Sequence, residues 1–373
     1  MKTGKHRSVG IIWKLNFEDD SANFTSIGPG QSPISKPQSR MNRMDGLLLI
    51  DKPAGVTSHD VVDSVRRILR VRRVGHAGTL DPFATGVLVM LVGRATRLAQ
   101  FLSGLEKEYE AVIRFGYATD TGDLTGKRID SLGSELTSGP TSAQSVSSPG
   151  QKGISVLPWS PAQIEAALAS LRGDIDQVPP MYSAKKQGGR KLYELARRGE
   201  EVERKPLRVC IHEFEAIKPT GELLKDNLDG TFDFEVRVVC SSGTYVRTLA
   251  EDLGKRLQVG AHLAELCRTR VGDFHIQQAH NLEQVKVSVA EEALSSLMLP
   301  TDAALARFPL MDLSAEDVKR VQNGRTVSVS NTKWSDRERV RMRDEQGNLI
   351  AVAEFDAASQ SLHPSVVIAG ENQ

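Results

Sequence analysis

One carboxylate stands alone in the most chemically suggestive stretch of this chain, GHAGTLDPFATG between Gly75 and Gly86. Asp81 is followed by Pro82, and glycines occupy positions 75, 78 and 86. Glycine permits left-handed or sharply turned backbone. Pro82 fixes its own φ and pushes Asp81 towards an extended conformation. An apolar run from Val87 to Val92 follows at once and reads as a buried strand. A carboxylate on a stiff loop that feeds such a strand is well placed to act as a base or a nucleophile. The same residues also fit a plain Gly/Pro turn whose Asp caps its own backbone, and spacing alone favours that reading.

Charge around the loop shifts the balance. From Val65 to Arg97 there are seven arginines (66, 67, 70, 72, 73, 94 and 97) and one acid, Asp81. A lone carboxylate in such a field is expected to stay ionised, its pKa drawn below the ordinary value of about 3.9. The field would also attract phosphate, so chemistry on a nucleic acid is the implied class. The competing reading is a solvated basic helix face. A second basic stretch between Met181 and Cys210 holds Lys185, Lys186, Arg190, Lys191, Arg197, Arg198, Arg204, Lys205 and Arg208 against four glutamates.

Composition narrows the class. The chain has 373 residues, long enough for two domains or one large core with tails. The net charge is only +1, so nucleic acid would be held by local patches. Aromatic content of 5% argues against a repeated stacking platform for single strands. The cysteines at 210, 240 and 267 form neither a disulfide framework nor a CxxC metal site, which suggests a reducing compartment. No apolar run approaches a membrane span, and Ile11-Ile12-Trp13 is too short for a signal peptide core. A cytoplasmic protein is expected.

Two segments read as additions to a globular body. Residues 1–43 lack periodicity and end in IGPGQSPISKPQSR, a composition that predicts disorder. Residues 131–153 are rich in Ser and Gly and read as a flexible insertion. The remainder alternates strands and helices. Gly46–Ile50 predicts a short buried strand, and Val61, Val62, Val65, Ile68 and Leu69 predict a helix starting at Ser58. Tyr109, Ala111, Ile113, Phe115 and Tyr117 alternate along one strand, and Phe232, Phe234, Val236, Val238 and Cys240 along another. Ser160-Pro161-Ala162-Gln163 has the form of a capping box with proline at the first helical position. Leu249, Ala250, Leu253 and Leu257 follow helical spacing after Ser241-Ser242-Gly243-Thr244. These patterns predict an α/β (α+β) catalytic body at 44–298, with a mixed, largely antiparallel central sheet flanked by helices. A small β-rich module, separate from it, is expected at 299–373. It would hold a helix from Ser314 to Gly324, a hairpin over Val340–Phe355 turning at 345–348, and a strand at 364–370.

Six co-linear segments then carry a resemblance: GLLLIDKPAGVTSHDVV (46–62), GHAGTLDPFATGVLVMLVGRATR (75–97), KEYEAVIRFGYATDTGDLTG (107–126), QVPPMYSAKKQGGRKLYELARRG (177–199), SSGTYVRTLAEDLG (241–254) and GAHLAELCRTRVGDF (260–274). Together they resemble the TruB family of tRNA pseudouridine synthases, in its bacterial stand-alone form. The resemblance implies a pseudouridine synthase fold with a C-terminal PUA-like domain. It implies isomerisation of uridine 55 in the tRNA T-loop, with no metal or organic cofactor and no guide RNA. A monomer is expected.

Residue roles follow from the same resemblance. Asp81 would be the catalytic carboxylate. His76 would enter the T-loop and support the flipped arrangement, and Tyr109 would stack on the flipped base. Arg247 would keep Asp81 ionised and aimed, and Tyr245 would line the pocket. Leu266 would be an apolar pocket residue, with plain helix packing as its bland reading. Lys52 would sit beside the pocket in a structural or phosphate-contacting role. Lys185, Lys186, Arg190 and Lys191 would hold the RNA backbone of the T-arm. Two other functions fit the residues less well: a synthase acting on another RNA, with or without a guide, and an RNA-binding or RNA-folding protein whose catalysis is secondary.

Overall fold

The period-two runs of the sequence become long strands of a single sheet. In this computed structural model the described residues are 44–129, 159–183, 202–218, 222–330 and 332–368, with the backbone of 186–187 and 190–191. The expected N-terminal extension and the 131–153 insertion lie outside them.

The main sheet is built on β1 (Gly46–Lys52), β2 (Val74–His76), β3 (Thr85–Val92), β4 (Lys107–Phe115), β5 (Gly173–Gln177), β6 (Leu207–Ala216), β7 (Phe232–Cys240), β8 (Ala261–Val271) and β9 (Met298–Leu299). Their order is β9-β1-β3-β8-β4-β7-β6-β5, with β2 also paired to β3. Every neighbour in that order is antiparallel except β3 and β8. Alternation explains the burial. Tyr109, Ala111, Ile113 and Phe115 of β4 face one core with Phe234, Val236 and Val238 of β7, while the residues between them are more exposed.

Helices cover the sheet where the sequence places them. α1 (Ser58–Leu69) starts at a Thr57–Asp60 capping box and buries Val61, Val62, Val65 and Leu69. α2 (Pro161–Ala169) has the expected Ser160–Gln163 box. α3 (Val246–Arg256) buries Leu249, Ala250 and Leu253 against the β4–β7 core.

One local feature decides where the site lies. β8 meets β3 only at Thr85 and Gly86, and β2 takes the other end of that edge, from Met90 to Val92. The loop between β2 and β3 therefore emerges in the middle of the sheet. The close approach demands a glycine: at Gly86, with φ +100°, an added Cβ would sit 2.2 Å from the Arg268 carbonyl oxygen.

The C-terminal segment forms a five-stranded sheet of its own, made from β10 (Leu310–Asp312), β11 (Val327–Ser328), β12 (Arg339–Arg343), β13 (Leu349–Asp356) and β14 (Ser361–Val367) in the order β10-β12-β13-β14-β11. Its helix spans Ala315–Gln322 behind a Ser314 cap. The β12–β13 turn is pinned by Asp344, whose carboxylate accepts from the backbone of Gln346 and Asn348. The last strand begins three residues before the expected 364, because Ser361 and Leu362 are in register with Asp356 and Phe355. The segment is not separate from the main body. Leu349, Val352 and Ile368 share an apolar cluster with Leu47, Val89 and Phe101. The boundary expected at 298/299 falls inside β9, which pairs with β1.

Candidate active site

The loop that carries Asp81 is held on both sides of that residue by groups from three elements. Arg268 of β8, 1% exposed, donates to the carbonyls of Val87 (2.8 Å), Gly78 (3.1 Å) and Thr79 (3.3 Å). Ser58, the first residue of α1, bonds both polar groups of Leu80: its hydroxyl donates to the carbonyl at 3.1 Å and accepts from the N–H at 2.8 Å. Beyond Asp81, the Pro82 carbonyl accepts from the Lys52 ammonium at 3.2 Å and the Gly55 N–H at 2.8 Å. The carboxylate thus hangs from a backbone with little freedom, as a reacting group requires.

Arg247 meets it from the first turn of α3. Its Nε lies 2.9 Å from one Asp81 oxygen and its Nη2 donates to the other at 3.2 Å, a two-pronged pair. The same guanidinium donates to the carbonyls of Thr121 (2.8 Å) and Tyr182 (2.7 Å), and Asp123 stands 3.7 Å away. Asp123 is itself fixed by Thr121 and Thr125. Arg247 is 4% exposed, whereas the Asp81 side chain keeps 34% of its surface open. The carboxylate therefore forms part of the wall of an open pocket of about 280 Å³, lined also by Leu80, Lys107, Tyr109, Tyr245, Arg247, Leu266 and Arg268. That size lies at the small end for ligand pockets.

The electrostatics differ from the expectation. Burial pushes the Asp81 carboxyl above its ordinary range, Arg247 opposes that shift, and Asp123 reinforces it. The seven arginines around the loop do not govern it. Arg66 pairs with Asp63, Arg94 with Asp45, and Arg97 bonds the Val367 carbonyl. Sequence proximity overstated their reach, because α1 and the turn after β3 spend these side chains elsewhere.

The structure places the other expected residues as follows. Tyr109 (8% exposed) and Leu266 (7%) are pocket residues, and burial raises the Tyr109 phenol further above its usual range. Leu266 sits on β8, so its bland alternative is strand packing and not the helix packing expected from sequence. Tyr245 precedes α3, and its backbone is locked to Gln177 by reciprocal bonds of 2.8 and 3.1 Å. His76 lies on β2 outside the pocket lining. It is partly buried, its Nδ1 has no partner among the described residues, and burial lowers its pKa.

Lys52 requires a correction. It is fully buried, and its ammonium spends its protons on the carbonyls of Pro53, Val56 and Pro82. A phosphate contact is excluded, and the role is to tie the 53–56 turn to the Asp81 loop. Burial brings its pKa down to about 8. In the basic segment, Lys186–Gln187 and Arg190–Lys191 form a two-stranded antiparallel ladder, while Lys185 lies outside the described residues.

Sequence reasoning missed Ser58, Lys107, Asp123 and Arg268. All four stand inside the six motif segments, so co-linearity was a signal. Their partners are mostly backbone carbonyls and N–H groups, which leave no mark on residue identity.

Residues 66–144 and 143–246 match the sequence model of the TruB family pseudouridylate synthase N-terminal domain, and residues 247–306 match that of the tRNA pseudouridylate synthase B C-terminal domain. The chain is 43% identical to tRNA pseudouridine synthase B of Geobacillus thermodenitrificans (strain NG80-2) over 75% of this chain and 85% of that one. It is 42% identical to the tRNA pseudouridine synthase B of Thermobifida fusca (strain YX) over 87% and 99% of the two. Its fold is similar to that of a chain in a solved H/ACA ribonucleoprotein bound to a substrate RNA containing 2′-deoxyuridine, with a TM-score of 0.61, 20% identity, and 88% and 86% of the two chains covered.

Proposed function

This chain belongs to the TruB family of pseudouridylate synthases, and from that membership we propose that its pocket converts uridine 55 of the tRNA T-loop to pseudouridine, with Asp81 as the catalytic carboxylate. The observation that carries the assignment of residues is the Asp81–Arg247 pair: a partly open carboxylate, gripped by a buried guanidinium, on the wall of a pocket that also holds Tyr109.

The isomerisation cleaves the bond between ribose C1′ and uracil N1 and joins C1′ to C5. The proton displaced from C5 is balanced by one gained at N1, so no redox change occurs. A carboxylate can promote this by adding to the base, by attacking C1′ or by assisting removal of a ribose proton. Each route needs Asp81 ionised and within bonding distance of the nucleotide. Arg247 serves both needs, since it opposes the desolvation of the carboxylate and fixes its two oxygens. A base inside a folded RNA must leave its stack to reach such a pocket. Tyr109 offers the extruded base an aromatic face, Leu266 and Tyr245 complete the walls, and His76 meets the T-loop outside. The ladder over 186–191 meets the phosphates of the T-arm directly, without a guide RNA. The same reading has the chain working as a monomer in the cytoplasm, where its three free cysteines would persist.

The test is purified protein acting on an unmodified tRNA transcript, with pseudouridine mapped by position. Wild type should modify position 55 with multiple turnover. Asp81→Asn keeps the shape and should bind RNA normally while producing no pseudouridine. Multiple turnover by that variant would remove Asp81 from the chemistry.

A further inference from the structure

Two buried cations in the pocket are bonded to no carboxylate among the described residues. Around Asp81 the charges match: Arg247 and Lys52 stand against Asp81 and Asp123. In the lining of the same pocket, Lys107 (6% exposed) and Arg268 (1%) are neighbours, and Arg268 acts on Lys107 as a like charge. Arg268 donates to the carbonyls of Val87, Thr79 and Gly78 and also bonds the Tyr109 hydroxyl, and it has no carboxylate partner among the described residues. The Lys107 ammonium donates to the carbonyls of Ser103 (2.7 Å) and Leu105 (2.6 Å). No acceptor for its third proton stands among the described residues. Lys107 is two residues before Tyr109 on β4, so both side chains emerge on one face of the strand, and both line the pocket.

Burying a charge is costly unless it is paired, and two like charges side by side add to that cost. Burial and Arg268 together bring the Lys107 pKa down to about 8. An anion entering the pocket would remove the imbalance and take up the spare proton. A nucleotide swung out of an RNA chain brings such an anion with it, because each sugar is flanked by two phosphodiesters.

We propose that Lys107, backed by Arg268, forms an anion subsite of this pocket that binds a phosphodiester oxygen flanking the extruded nucleotide. The proposal rests on the reading of the pocket as a nucleotide site. The subsite is distinct from the Asp81–Arg247 pair and makes Lys107 a substrate-binding residue.

The experiment is a double-mutant cycle between protein and RNA. The probe is a T-arm stem–loop RNA with a neutral methylphosphonate in place of the phosphodiester on the 5′ or the 3′ side of the target uridine. Each RNA and its unmodified parent are measured with wild type, Lys107→Met and Lys107→Arg, for dissociation constant and for kcat/KM. With wild type, one of the two methylphosphonates should weaken binding and kcat/KM by on the order of tenfold, the scale of one charge-assisted hydrogen bond. Lys107→Met should lose as much on the parent RNA and little more on that methylphosphonate, and Lys107→Arg should recover part of the loss on the parent alone. Losses that simply multiply for both positions, or no loss with wild type on either RNA, would overturn the subsite and leave Lys107 as a strut for the 103–105 turn. The wild-type RNA comparison does not depend on how any variant folds. Absence of pseudouridine with wild type and parent RNA would instead defeat the functional reading, while the binding cycle would still judge the subsite.

Discussion

Arg247 is the residue on which the most depends. One planar guanidinium ties three chain segments together: the Asp81 loop, the 121–123 turn and the Tyr182 carbonyl. Lysine is a point charge on a flexible stem and cannot reproduce that fork. Arg247→Lys should therefore lower kcat by about 100-fold or more, the cost of misplacing a reacting group by roughly 1 Å, while tRNA affinity stays within a few fold. An unchanged kcat would show that Asp81 needs only a nearby positive charge. Tyr109 separates two roles. If its ring alone matters, Tyr109→Phe should keep most activity, and Tyr109→Ala should lose the roughly 1–3 kcal/mol that stacking on one base contributes. A Phe variant with normal binding and almost no turnover would assign the hydroxyl a proton-transfer role. The Asp81 carboxyl also predicts a pH profile. Its pKa is raised in the folded protein, and the proposed role requires the ionised form, so turnover should fall on acidification while the pH is still above the ordinary carboxylate value of about 3.9. An acid limb at or below that value would show that Arg247 outweighs burial. At this scale the sequence pointed to Asp81, Tyr109, Arg247 and Leu266 through their types and motif positions, and the structure brings all four to one pocket. It misjudged the field around Asp81, because charge counted along a chain does not say which way the side chains point.

The β2–β3 loop is an element whose rigidity comes from its neighbours. Ser58, Lys52 and Arg268 belong to α1, β1 and β8, and each donates at least one hydrogen bond to the loop's backbone. Ser58→Ala is the mildest way to loosen it. That change removes the bonds to both polar groups of Leu80 and should cost about 1–3 kcal/mol of stability. It should also lower kcat by on the order of tenfold with KM nearly unchanged, because only positioning is lost. A rise in KM without a fall in kcat would place Ser58 in RNA binding instead. The strands and helices were legible beforehand because alternation and capping boxes are written in residue types. The clamp was not, since backbone carbonyls accept whatever donor the fold brings. The 186–191 ladder adds a further element-scale argument. Its backbone register sets Lys186 against Lys191, so two basic residues share one rung of the ladder. Neutralising both lysines should raise the apparent KM for tRNA and flatten its salt dependence while leaving saturated turnover largely intact. No change in either quantity would remove the ladder from the RNA interface.

At the scale of the whole molecule, the C-terminal sheet is part of the main body's packing. From sequence it reads as a separate module, since its strands are short, its turn is clear and its composition shifts near Leu299. What the sequence does not display is that β13 presents residues in two directions. Ala351, Ala353 and Phe355 face the module's own core, whereas Val352 joins Leu47 and Val89 of the main sheet. Arg339 adds a cation over the Phe101 ring, and Arg341 pairs with Asp302 on the segment between the two sheets. Fully burying an aliphatic side chain contributes about 1.5–3 kcal/mol, and truncation after Ala306 would strip Leu349, Val352 and Ile368 from the shared cluster together. The truncated chain should unfold about 10 °C or more below the full-length protein, taking roughly 2–4 °C per kcal/mol for a domain of this size. It should also bind an apolar dye at the face left open, because an uncovered apolar patch of that kind is unusual on a monomer. A module that instead folds alone, and a truncated body that keeps the full-length melting temperature, would restore the picture of two independent domains. The distinction bears on function as well. β1, which pairs with β9 and supplies Leu47 and Leu49 to the shared cluster, ends in Lys52, the residue that ties down the loop beyond Asp81. Loss of the C-terminal sheet should therefore lower kcat as well as stability, even on an RNA too short to reach that sheet.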